Sequence, residues 1–529
     1  MCGFVAYYGD THDLENLETD VNKIRYRGPD NSSYVQVNHV VQLFFHRLSI
    51  IDTSSAGNQP LRHPDDDRLW LICNGEIYNY KYLIKKYELK TKSGSDCEVI
   101  LHLYKLFGIE KTLDLLDGVY AFALYDESKK ELIAARDPFG VRPAFFGKTH
   151  NGEIFISSEI KAISNVCNSI IPFPPGTYWK LSSGEEFLSH YNYSYKTNSS
   201  LTEDEAINGI REKLSLAVEK RLMSEREVGC LLSGGLDSSL IASLVSKLSG
   251  EKIKTFSIGM EGSPDLKYAR MVADWINSDH HEVMLSSKDF LDAIETVIYN
   301  IESYDTTTVR ASVGNYLVSK YIKDNTDCKV VFNGDGSDEV CCGYIYNMNA
   351  PSKEELQEEA IRLVKELHLF DVLRSDRSVS SNGLEARTPF LDKDFVDFYM
   401  TIPPELKEFD KTNKIEKYLL RKAFESEALL PAEVLWRGKC AFSDGVSKID
   451  NSWHTILQNF INKKISDKQF EKGSKALQHC KPLLKESLYY RRVFEEHFKN
   501  HVNVIPHFWM PRWTDVIDPS AREISGYKE

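Results

Sequence analysis

The sequence predicts two fold classes in succession: an α+β part of stacked antiparallel sheets flanked by helices, then an α/β part built on a parallel sheet, ending in a mostly helical region. Three observations carry this. Residues 1–190 are rich in short β-like runs broken by turn residues. Residues 189–200, SHYNYSYKTNSS, are polar and without period. From about residue 205, short apolar strands alternate with helical periods, the mark of a parallel sheet. We therefore expect a first domain over 2–190, a linker over 191–204 and a second domain over 205–529.

In the first part, strands are expected at 40–45 (VVQLFF), 69–73 (LWLIC), 120–126 (YAFALYD), 131–136 (ELIAAR) and 153–158 (EIFISS). Between them a helix is expected from Asp96 to Phe107, with Val99, Ile100, Leu103 and Leu106 on one face. Beyond the linker, Thr202 and Glu205 form a capping-box pattern, and Ile207, Ile210, Leu214 and Val218 follow at helical spacing. Next come strand 228–232, a helix over about 237–249, strand 253–259, a helix near 265–277 and strand 328–333. The stretch 352–500 is mostly helical in pattern.

With 529 residues the chain is too long for one core, and 42% hydrophobic with 27% charged residues is ordinary for a globular protein. The formal net charge of -13 disfavours nonspecific nucleic-acid binding without excluding anionic small ligands. No apolar run approaches a membrane span, and the N-terminus does not read as a signal peptide. Ten scattered cysteines form no CxxC pair, so we expect reduced thiols in a cytosolic protein.

Cys2 precedes the small Gly3, and removal of Met1 would leave Cys2 with a free α-amine. Such an amine has a pKa near 8 and can serve as the base for its own thiol. Alone, a cysteine at position two reads as a small residue; Arg47 reads as an ion pair, and Asn74-Gly75 as a type I′ hairpin turn. The ordered set RGPD (27–30), HRLSIID (46–52), NGEIYN (74–79), SDCE (95–98) and RDPFGVRP (136–143) changes that reading. It resembles the glutaminase domain of class II glutamine amidotransferases, an N-terminal-nucleophile fold. The resemblance implies that Cys2 is the nucleophile, with Asn74 and Gly75 as oxyanion donors. It implies that Arg47, with Leu48, Ser49, Ile50 and Ile51 beside it, holds the glutamine carboxylate end, and that Glu76 and Asp96 hold its ammonium. A second site should then consume the ammonia.

Ser233-Gly234-Gly235-Leu236-Asp237-Ser238-Ser239 lies between an expected strand and helix. Glycines let backbone approach an anion, a helix N-terminus favours it, and Asp237 beside phosphate points to Mg²⁺. No Lys follows the second glycine, so this is not a Walker A loop. It resembles the pyrophosphate loop of enzymes that cleave ATP to AMP and pyrophosphate. Gly334-Asp335-Gly336-Ser337-Asp338-Glu339 follows a strand, suiting a ligand crevice; an acidic turn is the alternative. With TTTVRAS (306–312), GLEARTPFLD (383–392), LWRGKCAFSDGV (435–446), HFWMPRW and DPSAR, this part resembles the synthetase domain of the glutamine-hydrolysing asparagine synthetase family.

That resemblance implies ATP and Mg²⁺, with aspartate and glutamine as small-molecule substrates, no nucleic-acid or membrane partner, and room for a homodimer. By position, Leu231, Ile258, Asn333 and Gly334 would frame adenosine, Asp237 and Asp338 would meet magnesium pyrophosphate, and Lys439 would offset phosphate charge. Thr307 and Arg310 would shape the aspartate pocket; a helix cap and an ion pair is the alternative. Asp335 stands where the family usually has Glu, roughly 1.5 Å shorter in reach, and Asn333 replaces the more usual Ser. Adjacent Cys341 and Cys342 are expected to be buried and inert. A β-lactam synthetase-like cyclase is disfavoured by Cys2, and a silent or altered-substrate relative by the retained Cys2, Arg47, Asn74 and Lys439.

Overall fold

The computed structural model describes residues 1–10, 14–410, 414–448 and 451–520. Two six-stranded antiparallel sheets stack face to face over residues 3–189. The first runs Ser169–Pro172, Phe145–Lys148, Ile154–Ser157, Gly3–Tyr8, Val41–Arg47, Asn31–Val37. The second runs Phe187–Ser189, Thr177–Lys180, Glu131–Arg136, Gly118–Asp126, Asp66–Ile77, Leu61–His63. Strand alternation explains the stacking. Along Gly3–Tyr8, Phe4 and Ala6 pack toward Ile72, Ala121, Ala134 and Trp179 of the second sheet, while Val5 and Tyr7 face the opposite core. The outer face of the second sheet is covered by helices through Leu83, Val99, Ile100 and Leu103.

The helix expected from Asp96 begins as a 3₁₀ turn at Asp96–Glu98 and continues as Val99–Leu115. Leu106 departs from the expected face: it is 56% exposed, and the helix breaks two residues later at Gly108, where φ is +77°. Asn74 and Gly75 do not form a turn. They lie inside the Asp66–Ile77 strand, opposite Ala121 and Tyr120.

Beyond the linker, the Glu203–Lys220 helix is capped by reciprocal Thr202 and Glu205 bonds. The parallel sheet runs Asp279–Met284, Lys254–Gly259, Val228–Leu231, Val330–Phe332, Glu385–Arg387. Val228–Leu231 comes first in the chain yet sits in the centre, so strand order reverses between it and Val330–Phe332. A crevice opens at such a switch point, beyond the carboxyl ends of the strands. The Ser233 loop and the Gly334 loop border that crevice. Most of the remaining chain is helical, as expected.

The two halves share apolar core. One buried cluster joins Val5, Tyr7, Phe145 and Phe155 to Ile298, Ile301, Leu373 and Ile505. All ten cysteines are free thiols; Cys341 and Cys342 are buried. No helix among the described residues is long and apolar enough to cross a membrane.

Candidate active sites

The first site forms where the N-terminal strand meets the Asp66–Ile77 strand. The Cys2 N–H donates to Asn74 Oδ1 at 2.9 Å. That bond turns the other end of the amide away, and Asn74 Nδ2, although buried, has no partner among the described residues. Here is an amide donor held in place with nothing yet to donate to. The Leu48 N–H approaches Cys2 Sγ at 3.4 Å. Burial pushes the Cys2 thiol up to about 11 with Met1 attached; the Met1 amine itself is brought down by burial to about 6 and donates to the Leu384 carbonyl at 3.3 Å. Gly75 is required by close approach: a Cβ there would lie 2.6 Å from the Val119 carbonyl oxygen.

Two carboxyls complete the pocket. Burial and the neighbouring Glu385 and Asp96 raise Glu76 well above the usual range, and Glu76 Oε2 accepts no hydrogen bond among the described residues. Burial raises Asp96 to about 6 against the 2.6 Å bond it accepts from the Ile77 N–H. Arg387 Nη2 lies 3.6 Å from Glu76 Oε2, too long for a hydrogen bond, so this desolvated acid pair keeps acceptor capacity that suits an ammonium. Arg47, Leu48, Ile50 and Ile51 line the same pocket. The Arg47 guanidinium donates to the Ser54 carbonyl at 2.7 Å, to Asn58 Oδ1 at 2.8 Å and to the carbonyls of Ile51 and Asp52. Ser49 lies outside the pocket wall, its N–H bonded to Asp30 and its carbonyl to Arg226.

The second site is a cavity of about 290 Å³ at the switch point of the parallel sheet. Leu231, Ile258, Asn333 and Gly334 line it, as do Ser233, Gly235, Asp237 and Ser238. Gly234 and Ser239 support the loop from behind. Gly234 has φ +74°, and a Cβ there would meet the Ala269 nitrogen at 2.5 Å; Ser239 is buried in the Leu236–Ser249 helix. Arg437 braces the same loop, donating to the Gly234 carbonyl and to Asp265 at 2.9 Å each.

Asp237 and Asp338 stand together because a lysine joins them. Lys417 Nζ lies 2.6 Å from Asp237 Oδ2 and 2.7 Å from Asp338 Oδ1, and Lys439 donates to Asp338 Oδ2. Burial would raise Asp338, but these two lysines hold it far below the usual carboxylate range. Sequence reasoning missed Lys417: its Asp237 partner lies 180 residues away, so no local spacing signals it.

Asp335 is half-buried beside Arg374, whose Nη2 donates to Oδ1 at 3.0 Å, while Asn333 Nδ2 donates to Oδ2 at 2.8 Å. Burial raises this carboxyl and Arg374 opposes the shift. Arg374 was also missed; nothing in its local pattern sets it apart from an exposed helical arginine. Thr307 and Arg310 both line the cavity. Thr307 Oγ1 donates to Asp305 at 2.8 Å. Arg310 forks onto Glu486 at 2.8 and 2.7 Å and onto Asp518 at 2.8 and 2.7 Å, leaving few donors unused. Asp518 opens the DPSAR motif, whose Ala521 and Arg522 lie outside the described residues.

An N-terminal thiol with a prepared amide donor in stacked antiparallel sheets, joined to a phosphate-suited crevice in a parallel sheet, places the chain among glutamine amidotransferases coupled to ATP-using synthetases. The family model described as glutamine amidotransferase domain matches residues 1–176, and that described as asparagine synthase matches 209–357 and 346–516. The asparagine synthetase [glutamine-hydrolyzing] of Gallus gallus is 44% identical, and that of Rattus norvegicus 43% identical, each over 100% of this chain and 99% of the relative. The chain belongs to the glutamine-hydrolysing asparagine synthetase family.

Proposed function

We propose that this protein makes asparagine from aspartate, ATP and glutamine, releasing AMP, pyrophosphate and glutamate. Full-length similarity to enzymes of that name supports the reading, and the observation that carries it is the unpaired Asn74 amide beside Cys2. Residues 2–190 would form the glutaminase domain, 191–204 the linker and 205–529 the synthetase domain. The work would take place in the cytosol.

Removal of Met1 would place a free amine beside the Cys2 thiol, and that amine would take the thiol proton as the sulfur attacks the glutamine amide. Asn74 Nδ2 and the Gly75 N–H would hold the resulting oxyanion; each such donor contributes about 2.7–4 kcal/mol to the transition state. Glu76 and Asp96 would hold the α-ammonium. Arg47 would take the α-carboxylate by exchanging one of its loop carbonyl partners for it. The pocket measures about 30 Å³ with Met1 attached, and removal of Met1 would enlarge it.

In the second site the aspartate β-carboxylate would attack the ATP α-phosphorus, forming β-aspartyl-AMP as pyrophosphate leaves. Lys417 and Lys439 would follow the charge that moves onto the leaving phosphates. Asp237 and Asp338 offer only oxygen donors, and a carboxylate pair completed by substrate phosphates suits Mg²⁺. Bound there, Mg²⁺ would supply charge neutralisation for the pyrophosphate. Thr307 and Arg310 would orient aspartate, and Asp335 would stand near the incoming ammonia, which travels through the interior between the sites. A homodimer is compatible with this scheme.

The test is direct. Purified protein is supplied with ATP, Mg²⁺, aspartate and glutamine, and asparagine, AMP and pyrophosphate are quantified. Cys2→Ala should lose glutamine use and keep ammonia-dependent synthesis. ADP in place of AMP would reject the scheme.

A further inference from the structure

The helix Asp371–Ser380 lies between the two sites and touches both. Arg374 and Asp376 are two residues apart on it, about 200° around the axis at 3.6 residues per turn, so they leave opposite faces. On one face Arg374 Nη2 reaches Asp335 Oδ1 at 3.0 Å and Asp371 Oδ1 at 2.7 Å. Ser375 Oγ on the same helix accepts from Asn333 Nδ2 at 2.7 Å. The helix is thus fastened to the loop that carries the synthetase acid.

On the other face Asp376 meets Arg27 of the N-terminal half. Arg27 Nη1 lies 2.9 Å from Asp376 Oδ1, and Nη2 donates to Oδ2 at 3.2 Å. Arg27 Nη1 also donates to Ser380 Oγ at 2.9 Å, one turn further along. The remaining Arg27 contacts run to Glu159 and, through Nε at 2.8 Å, to the backbone carbonyl of Cys2. Arg27 is 0% exposed and Asp376 2% exposed, so neither charge is screened by water. Only the step from Asp376 to Arg374, two residues of helix, therefore separates the arginine on the nucleophile's own carbonyl from the arginine on the synthetase acid.

We infer that Asp376 is a positioning residue for Cys2, acting through Arg27, and that this helix transmits the state of the Asp335–Arg374 pair to the thiol. The inference rests on the reading that Cys2 hydrolyses glutamine and that the Asp335 crevice activates aspartate. A guanidinium fork locked at both edges fixes the position of what its third edge holds. When substrates fill the crevice, the partners of Arg374 change. A rigid helix cannot absorb that change locally, and Asp376 moves with it.

The experiment compares native full-length protein with Asp376→Asn and Arg374→Gln. Three quantities are read: glutamine hydrolysis, ammonia-dependent asparagine formation, and the rate at which iodoacetamide alkylates Cys2, followed by peptide mass spectrometry with and without ATP plus aspartate. Asp376→Asn should lower kcat/KM for glutamine by about tenfold or more, the scale of a sub-ångström misplacement, while ammonia-dependent synthesis stays near the native rate. In native protein ATP plus aspartate should change the Cys2 alkylation rate. Both variants should lose that response, Arg374→Gln included, although it lies in the other half. Asp376→Glu should restore part of it.

A merely structural ion pair would depress both activities together and leave the ligand response of Cys2 intact; that result overturns the inference. Native glutamine kinetics in Asp376→Asn also overturn it. If Asp376→Asn fails to fold, as judged by circular dichroism and a lost thermal transition, Arg27→Lys replaces it, since one ammonium cannot span Cys2, Asp376 and Glu159. A Cys2→Ala protein that still hydrolyses glutamine would sink the site assignment instead, so the two failures are distinguishable.

Discussion

Lys417→Met should separate the roles of charge and metal in the synthetase crevice. The native lysine is 2% exposed and sits 2.6 and 2.7 Å from carboxylates of Asp237 and Asp338, which are themselves under one-fifth exposed. Removing one partner of a buried pair costs about 3–5 kcal/mol because the other charge is left uncompensated. Here two carboxylates lose a shared cation. Lys439 still holds Asp338, and the Ser337 hydroxyl still donates to Asp237 Oδ1 at 2.8 Å, so the lower end of that range is expected. The variant should melt below native protein in metal-free buffer, and its KM for ATP should rise. Millimolar Mg²⁺ alone should then stabilise the variant more than the native chain, because a divalent cation takes up the vacated charge. A ligand at a hundred times its Kd contributes about 2.7 kcal/mol. The assay is a thermal melt with and without Mg²⁺, backed by ATP titration of asparagine formation. Glutamine hydrolysis without ATP serves as the fold control. Coincident melts of both proteins, with equal Mg²⁺ shifts, would refute the idea that these carboxylates are a charged pair held together by lysine.

Asn74→Ala should lower kcat for glutamine hydrolysis by about 10²–10³, the effect of one lost oxyanion donor, while ammonia-dependent synthesis continues; steady-state assays with each nitrogen source check this. Asp96 must be ionised to hold an ammonium, so kcat/KM for glutamine should fall as pH drops below about 6; a pH profile without that acid limb contradicts the assignment. Its stability effect has the opposite sign: a carboxyl raised from 3.8 to about 6 in the fold withdraws stability as pH rises through that window. Arg310→Lys replaces a fork on Glu486 and Asp518 by one point charge, so KM for aspartate should rise and the melting temperature fall, with glutamine hydrolysis retained. Asn333→Ala frees Asp335 on one side and should slow asparagine formation from ammonia, as product quantification will show.

Much of this architecture was legible because local physics and global fold agree. VGCLL between a turn and a Gly-Ser loop can only be a buried strand feeding a helix, and the strand is found at Val228–Leu231. Thr202 and Glu205 announced a helix start, and their side chains make both reciprocal bonds. Where the reading failed, a distant partner decides. Asn74-Gly75 has turn chemistry, yet the Asp66–Ile77 strand pairs with Gly118–Asp126 along its length and carries both residues through. Asp279–Met284 is an edge strand with little buried surface, so its sequence, DHHEVM, lacks the apolar run that marks a strand. Strand Glu385–Arg387 is three residues long and is defined only by its neighbour. The first site was legible as a set of motifs, whereas the direction of its free amide was not. In the second, the acids and Lys439 were found, but Lys417 and Arg374 come from parts of the chain whose local pattern does not single them out.

The apolar cluster common to both halves has a practical corollary. Lys196 is exposed in the segment between the sheets, and trypsin would be expected to cleave there. Such a nick would sever the backbone without parting the fragments, since Phe155 and Ile301 would remain in one interior. The cut would show on a denaturing gel and be invisible to size exclusion, and the nicked particle should still carry nitrogen from one centre to the other.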